Sequence, residues 1–122
     1  MIALSAFNKL RLRGGCTIVR IEEVMHPMRD ALGRGAVAQT MINGSRLEIL
    51  IVSGLSHAEL SVTLYHEVLE AVAVAQEDPP MAIAEFNEGD FEQAARKMHD
   101  LLGEATPAKV NHMLQLHGFP EK

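Results

Sequence analysis

The segment from residue 56 to residue 78 constrains the fold of this chain more than any other. It begins with Ser56, a favourable N-cap residue, and Glu59 stands where a capping-box carboxylate would lie. Apolar residues then recur at helical spacing, and further apolar residues occupy the opposite side. The pattern predicts one long helix that is apolar on almost every face, and such a helix is normally buried.

Three polar residues, His66, Glu67 and Glu70, interrupt this apolar helix. His66 and Glu70 are one turn apart and share a face, with Glu67 beside them. Burying two carboxylates and an imidazole costs free energy unless an ion partner, a proton or a metal compensates their charge. The segment therefore predicts a functional site, and the structural alternative is a solvated helix face that carries these groups by chance.

The first half of the chain predicts strands. We expect an edge strand within residues 3–13 that ends at Gly14-Gly15. A second strand is expected over residues 17–25, in which Ile18 and Ile21 point to opposite faces. A helical turn is expected over residues 28–32. Asn-Gly between two β-rich runs is the strongest short-range hairpin signal, so residues 36–42 and 46–52 are expected to pair around Asn43-Gly44. The second strand is nearly all apolar, so it is expected to be central or covered on both faces.

The second half predicts helices. Asp90 is expected to cap a helix that ends at Gly103, and Thr106 to cap a last helix with Pro107 in its first turn. Strands followed by helices indicate an α+β domain. We expect one domain over residues 1–122, with a small twisted, mostly antiparallel sheet followed by three helices.

The composition limits the classes of partner and compartment. A net charge of −5 argues against nucleic acid, because phosphate binding needs clustered Lys and Arg. Lys9, Arg11 and Arg13 form a basic cluster, which a solvated strand face explains equally well. The single Cys16 excludes an internal disulfide and suits a reducing compartment. With no secretion signal and no run long enough to span a bilayer, we expect a cytoplasmic protein without a membrane partner, of open oligomeric state.

The three polar residues form the pattern His66-Glu67-x-x-Glu70, which differs at one position from H-E-x-x-H. In H-E-x-x-H, two ligands one helical turn apart hold zinc, and the Glu between them is the general base for an activated water. Glu is also a zinc ligand in proteins, so His66 and Glu70 can ligate one ion with Glu67 as the base. A third ligand must then come from elsewhere in the chain.

The residues around this pattern resemble a known family. The stretch ILIVSGLSHAELSVTLYHEVLEA, and within it Thr63-Leu64-Tyr65-His66-Glu67-Val68-Leu69-Glu70-Ala71, is similar to the core of minimal zincin-type metallopeptidases, especially the IrrE/ImmA-like group. The resemblance covers roughly residues 46–102. It implies a zincin-like fold, a zinc-dependent peptidase activity and a third ligand on a following helix. Glu92 is the closest match for that ligand, and Glu88, Asp90 and His99 are the alternatives.

The chain departs from the family where Glu70 stands in place of His and Leu69 in place of a frequent Gly. If His66, Glu70 and Glu92 are the ligands, two carboxylates neutralise a divalent ion, which then lowers the pKa of bound water less. This departure implies weaker hydrolysis, a preference for manganese or iron over zinc, or a fold that has lost its peptidase activity.

Two functions follow. The first is a small metal-dependent hydrolase whose peptide or protein substrate would lie along the edge of the strand at residues 46–52, if that edge is open. The second is a catalytically inactive zincin-fold protein that acts as a regulatory module through protein contacts. Convergence of His66, Glu67, Glu70 and one further carboxylate favours the first function, and a buried salt bridge from Glu70 to Arg96 or Lys97 favours the second.

Overall fold

A computed structural model of the chain describes residues 2–25, 28–29 and 35–121. A short 3-10 helix, Leu4–Phe7, precedes the strands. The strands are β1 (Leu10–Arg11), β2 (Thr17–Val24), β3 (Met28–Arg29), β4 (Gly35–Ala36), β5 (Ala38–Asn43) and β6 (Arg46–Val52). The helices are α1 (His57–Ala75), α2 (Glu88–Leu102) and α3 (Pro107–Leu116).

The main sheet has the strand order β1-β2-β6-β5. β2 runs parallel to β6, whereas β1 pairs with β2 and β5 pairs with β6 in antiparallel fashion. The sheet is therefore mixed, and with the three helices it confirms the predicted α+β class. The nearly all-apolar β6 is central, as predicted, because it pairs with β2 on one edge and with β5 on the other. Its Leu47, Ile49 and Ile51 are fully buried on one face.

A β-bulge in β2 overturns one prediction about its faces. The register with β6 passes from Ile18 opposite Leu47 to Arg20 opposite Glu48, so Val19 is the extra residue. The bulge places Ile18 and Ile21 together in the core, where they are 0% and 4% exposed. The prediction that these two side chains lie on opposite faces was wrong, because strict alternation assumes an uninterrupted strand.

The hairpin of β5 and β6 is confirmed, with its turn one residue later than predicted. Asn43 pairs with Arg46, so the two loop residues are Gly44 and Ser45. Gly44 has a φ of 64°, which glycine adopts without steric cost.

Earlier in the chain, Met28–Arg29 forms β3 and pairs with β4 instead of starting a helical turn, so that prediction was also wrong. Its remainder, residues 30–32, lies outside the described residues.

The long helix is confirmed as α1. Ser56 is its N-cap, and the Ser56 hydroxyl accepts a hydrogen bond from the Glu59 backbone N–H at 3.2 Å. The helix ends at Ala75, and most of its apolar residues are buried in the core as its pattern requires. Tyr65 is fully buried in the core and donates a hydrogen bond to the Gly103 carbonyl at 2.9 Å.

The start of α2 differs from the prediction. Asn87, and not Asp90, is the N-cap, and the two residues form a reciprocal capping box. Glu88 is therefore the first residue of the helix, one turn before Glu92. Gly103 ends α2, and Thr106 caps α3 with Pro107 in the first turn, as predicted. Among the described residues, no helix is both long and apolar enough to cross a membrane.

Candidate metal centre

The three polar residues of α1 converge as their spacing predicts. His66, Glu67 and Glu70 each offer a ligand atom, and these three atoms all lie within 4.8 Å of one another. All three residues are half-buried, because α1 lies between the sheet and α2. Donor atoms this close together can contact a single ion.

Carboxylates from α2 approach both nitrogens of the His66 ring. The Nδ1 atom lies 2.9 Å from Glu92 Oε1, and the Nε2 atom lies 3.2 Å from Glu88 Oε2. Glu70 Oε1, from α1 itself, is 3.9 Å from the same Nε2. Phe91 packs alongside the ring, with centroids 6.4 Å apart and planes inclined by 26°. The imidazole is thus held between the two helices by Phe91 and by carboxylates on both of its edges.

The two α2 carboxylates differ in their surroundings. Glu92 uses both oxygens, since its Oε2 is 2.7 Å from Arg96 Nη2 while its Oε1 contacts His66. The Glu88 side chain is 76% exposed and contacts the opposite edge of the ring. A buried salt bridge from Glu70 to Arg96 or Lys97 was expected for a non-catalytic protein. Arg96 instead pairs with Glu92.

Glu67 is held by the sheet. The hydroxyl of Thr40, on β5, donates a hydrogen bond of 2.8 Å to Glu67 Oε1. Burial raises the pKa of Glu67 above its ordinary value, and the Thr40 hydrogen bond and the charge of His66 oppose this effect. The sequence contains no signal for Thr40, because it lies 27 residues from Glu67 and only the packing of β5 beside α1 joins them.

The site carries more negative than positive charge, and protons compensate the difference. Interaction with the Glu70 carboxylate, followed by Glu92, raises the pKa of His66 to about 9 despite its burial. The same interaction with His66 lowers the pKa of Glu70. Hydrogen bonding to the Glu70 carboxylate raises the pKa of Glu88 to about 7, because two neighbouring carboxylates resist simultaneous ionisation. Glu70 and Glu88 therefore form a pair that favours sharing one proton.

These surroundings predict how stability changes with pH when no metal is bound. The folded-state pKa of His66, about 9, exceeds the ordinary 6.5. Stabilisation by protonated His66 is therefore fully present below the ordinary value and is lost as the pH rises through about 9. We expect the free energy of unfolding in EDTA, measured with urea, to fall between neutral pH and the folded-state pKa, and NMR to show His66 protonated at neutral pH.

The control for this prediction is His66→Gln, which cannot gain a proton at this position. Its unfolding free energy should change less over the same pH range, since the group responsible is absent. A His66 ring that titrates near the ordinary value, or an equal loss of stability in both proteins, would contradict the assigned surroundings.

The other candidate ligands have structural contacts. The His99 Nδ1 lies 2.8 Å from the hydroxyl of the buried Ser61, and that hydroxyl accepts a hydrogen bond from the Ala105 backbone N–H. Asp90 completes the capping box of α2.

Cys16 is not a candidate ligand. It is buried and free, and burial raises the pKa of its thiol, as expected for a core residue.

Comparison with protein-family models, with curated proteins and with solved structures found no match to this chain. The zincin-like resemblance therefore rests on the motif residues, and the function has to be argued from the chemistry of the site.

Proposed function

We propose that this chain is a small divalent-metal-dependent hydrolase of zincin type that acts on peptides. The observation that carries the proposal is the arrangement around His66. Its Nε2 has carboxylates of Glu88 and Glu70 at 3.2 Å and 3.9 Å, while Glu92 contacts its other nitrogen. One imidazole nitrogen and two carboxylates from two helices are a suitable donor set for a divalent cation.

The charge of the site supports a cation. Four carboxylates, those of Glu67, Glu70, Glu88 and Glu92, surround or adjoin one imidazole. Without a metal, this excess of negative charge is offset by raised proton affinity at His66 and Glu88. A divalent cation would replace those protons, so metal affinity should increase with pH.

The contacts favour one assignment of the donors. We assign His66 Nε2, Glu70 and Glu88 as the ligands. Glu92 then acts as the carboxylate that fixes the ring orientation through Nδ1, as commonly found for histidines that bind metals. This proposal differs from the sequence-based hypothesis, which gave the third ligand position to Glu92. The new assignment rests on the contacts of Glu92, whose two carboxylate oxygens already contact His66 and Arg96.

Glu67 is the proposed general base. A divalent ion bound at this site would act as a Lewis acid and lower the pKa of a water molecule. The Glu67 carboxylate is oriented by Thr40 and lies beside His66 and Glu70, so it would accept a proton from that water and return it to the leaving amine. Zinc is the first candidate ion, with manganese and iron as alternatives because two of the three donors are carboxylates.

The strand that could bind a substrate differs from the one that the sequence suggested. Both edges of β6 are paired, with β2 and with β5, so β6 cannot accept an extended peptide. β1 and β5 are the two outer strands of the main sheet, and of these β5 carries Thr40 beside the site. We therefore propose that a peptide substrate adds along β5, where backbone hydrogen bonds would hold it close to Glu67. The free, buried Cys16 supports the cytoplasm as the proposed compartment.

Exposed apolar side chains favour a second candidate function. Val37, Met41 and Ile42, in or next to β5, are 50%, 43% and 38% exposed. A protein partner could cover these side chains without any chemistry at His66. The second candidate is accordingly a non-catalytic, protein-binding module of the same fold.

Elemental analysis of the purified protein tests the metal. We expect near-stoichiometric metal in the wild type and loss of that metal in His66→Ala. His57→Ala is the matched control, because His57 is an exposed histidine at the start of the same helix, and it should retain the ion. If the wild type takes up no metal after incubation with zinc or manganese, the hydrolase proposal fails and the protein-binding module becomes the better hypothesis.

Once metal binding is established, the variant Glu67→Gln distinguishes metal binding from catalysis. The variant should keep the ion and lose peptide hydrolysis by about 100-fold or more, the usual contribution of a general base. Hydrolysis of an unstructured peptide mixture by the metal-loaded wild type, but not by Glu67→Gln, would support the peptidase. Full activity in Glu67→Gln would exclude Glu67 as the base.

A further inference from the structure

A cavity of about 740 Å³ lies between the segment at residues 11–17 and helix α3, and none of its lining residues belongs to the candidate metal centre. Its walls come from the turn that joins β1 to β2, from α3 and from Glu121. The volume is within the range of small-molecule binding sites, roughly 300–1,000 Å³. The cavity is therefore large enough to hold a metabolite-sized molecule.

The charged groups that line the cavity are mainly cationic. Arg11 and Arg13, two members of the basic cluster in the sequence, line the cavity together with one carboxylate, Glu121. His112 and Gln115 add polar side chains from α3. This concentration of guanidinium groups stands out in a chain whose net charge is −5.

Hydrogen bonds hold the arginine-bearing turn in place. The Arg13 backbone N–H donates to Asn111 Oδ1 at 2.9 Å, and Asn111 Nδ2 donates to the Arg11 carbonyl at 3.2 Å. The Arg13 side chain itself is oriented, since its Nε donates to the Phe119 carbonyl at 3.1 Å. The Gly14 N–H donates to the Pro120 carbonyl at 2.8 Å. A guanidinium held in this way loses less conformational entropy when it binds a ligand.

We propose that this cavity binds a small anionic molecule whose phosphate or carboxylate oxygens contact Arg11 and Arg13. Guanidinium groups bind both kinds of oxyanion through paired, charge-assisted hydrogen bonds. The cavity is concave and local, and the rest of the chain is acidic, which favours a small anion over a nucleic acid. The site is separate from the metal centre, so the proposal does not depend on the hydrolase.

A two-dimensional NMR titration of the EDTA-treated protein tests the site, with inorganic pyrophosphate and citrate as probes. Prior removal of metal prevents either chelating probe from reporting on the metal centre. We expect saturable shifts confined to residues 11–17 and 108–115. Arg11→Gln should weaken binding by about 10-fold or more, the usual effect of losing a charge-assisted hydrogen bond. Arg20→Gln is the control, since Arg20 is an exposed arginine of the same sheet that pairs with Glu22 and does not line the cavity.

The two probes separate the sources of the oxyanion. Tighter binding of pyrophosphate supports a phosphorylated ligand, and tighter binding of citrate supports a carboxylate ligand. Arg13→Lys gives a second test, because lysine retains the charge but not the planar fork, and binding should weaken while the fold is kept. Absence of saturation by either probe at about 10 mM, or equal affinities in Arg11→Gln and Arg20→Gln, would overturn the proposal.

Discussion

Replacing Glu88 with alanine should weaken divalent-metal binding by about 100-fold or more, whereas Glu92→Gln should weaken it by about 10-fold, at the lower end for a residue that orients a ligand. The reason is the different position of the two carboxylates. Glu88 lies on the Nε2 side of His66 together with Glu70, where the ion is proposed to bind. Glu92 contacts Nδ1 and Arg96, so its loss disturbs the ring orientation and leaves the donors in place.

Isothermal titration of zinc and manganese into the metal-free variants measures this difference. Glu85→Ala is a charge-matched control, because Glu85 is an exposed carboxylate just before α2 with no described contact to the site. Circular dichroism should show that each variant keeps its helices. A larger loss of affinity in Glu92→Gln than in Glu88→Ala would restore Glu92 as the third ligand and refute the assignment of Glu88.

The second large effect concerns the stability of the fold. Gly14→Ala should lower the free energy of unfolding by about 3 kcal/mol, as the sum of left-handed backbone strain and overpacking. Gly14 has a φ of 89°, and an added Cβ would lie 2.8 Å from Val72 Cγ1 and 3.0 Å from Phe119 Cδ1. Both neighbours are buried, with exposures of 0% and 2%, and have little room to shift.

Gly54→Ala is the matched control for this stability prediction. Gly54 has nearly the same φ, 88°, but an added Cβ would meet nothing within 4 Å. Its substitution should cost only the backbone strain, about 1 kcal/mol. Urea unfolding of both variants isolates the packing contribution as their difference. Equal losses of stability would mean that the contact of the β1–β2 turn with α1 and Phe119 is looser than the distances indicate.

The proposed ligand set has a consequence for the choice of metal and the strength of catalysis. His66, Glu70 and Glu88 supply one neutral and two anionic donors, the same charge that the sequence implied with Glu92. A site neutralised by two carboxylates acidifies water less than one that keeps a net positive charge. If the proposed hydrolase function is correct, a slow peptidase, or one more active with manganese or iron than with zinc, is therefore expected.

The sequence predicted the part of the site that lies on one helix. His66, Glu67 and Glu70 are within one turn of each other, and helical geometry alone brings them together. Glu88 was only an alternative, because Glu92 was the closest match to the family pattern and the helix was expected to follow a cap at Asp90, whereas it begins at Glu88. The true cap, Asn87, is as good a cap residue as Asp90 by type, and local preference could not choose between them.

Several helices and strands were also predictable from local sequence patterns. The apolar, Ser-capped α1, the β5–β6 hairpin and the Thr106-Pro107 start of α3 all depend on residues within a few positions of each other. Such signals are encoded by backbone preferences and side-chain periodicity, which act over one turn or one strand.

The sequence by itself therefore determined the α+β class, the main helices and the three polar groups on α1. Only the tertiary structure decided the parallel pairing of β2 with β6, the bulge at Val19, and the contacts that bring Thr40 to Glu67 and Glu88 to His66. These features join segments that are far apart in the chain. They depend on how complete faces pack into one core, and no short stretch of sequence carries that information.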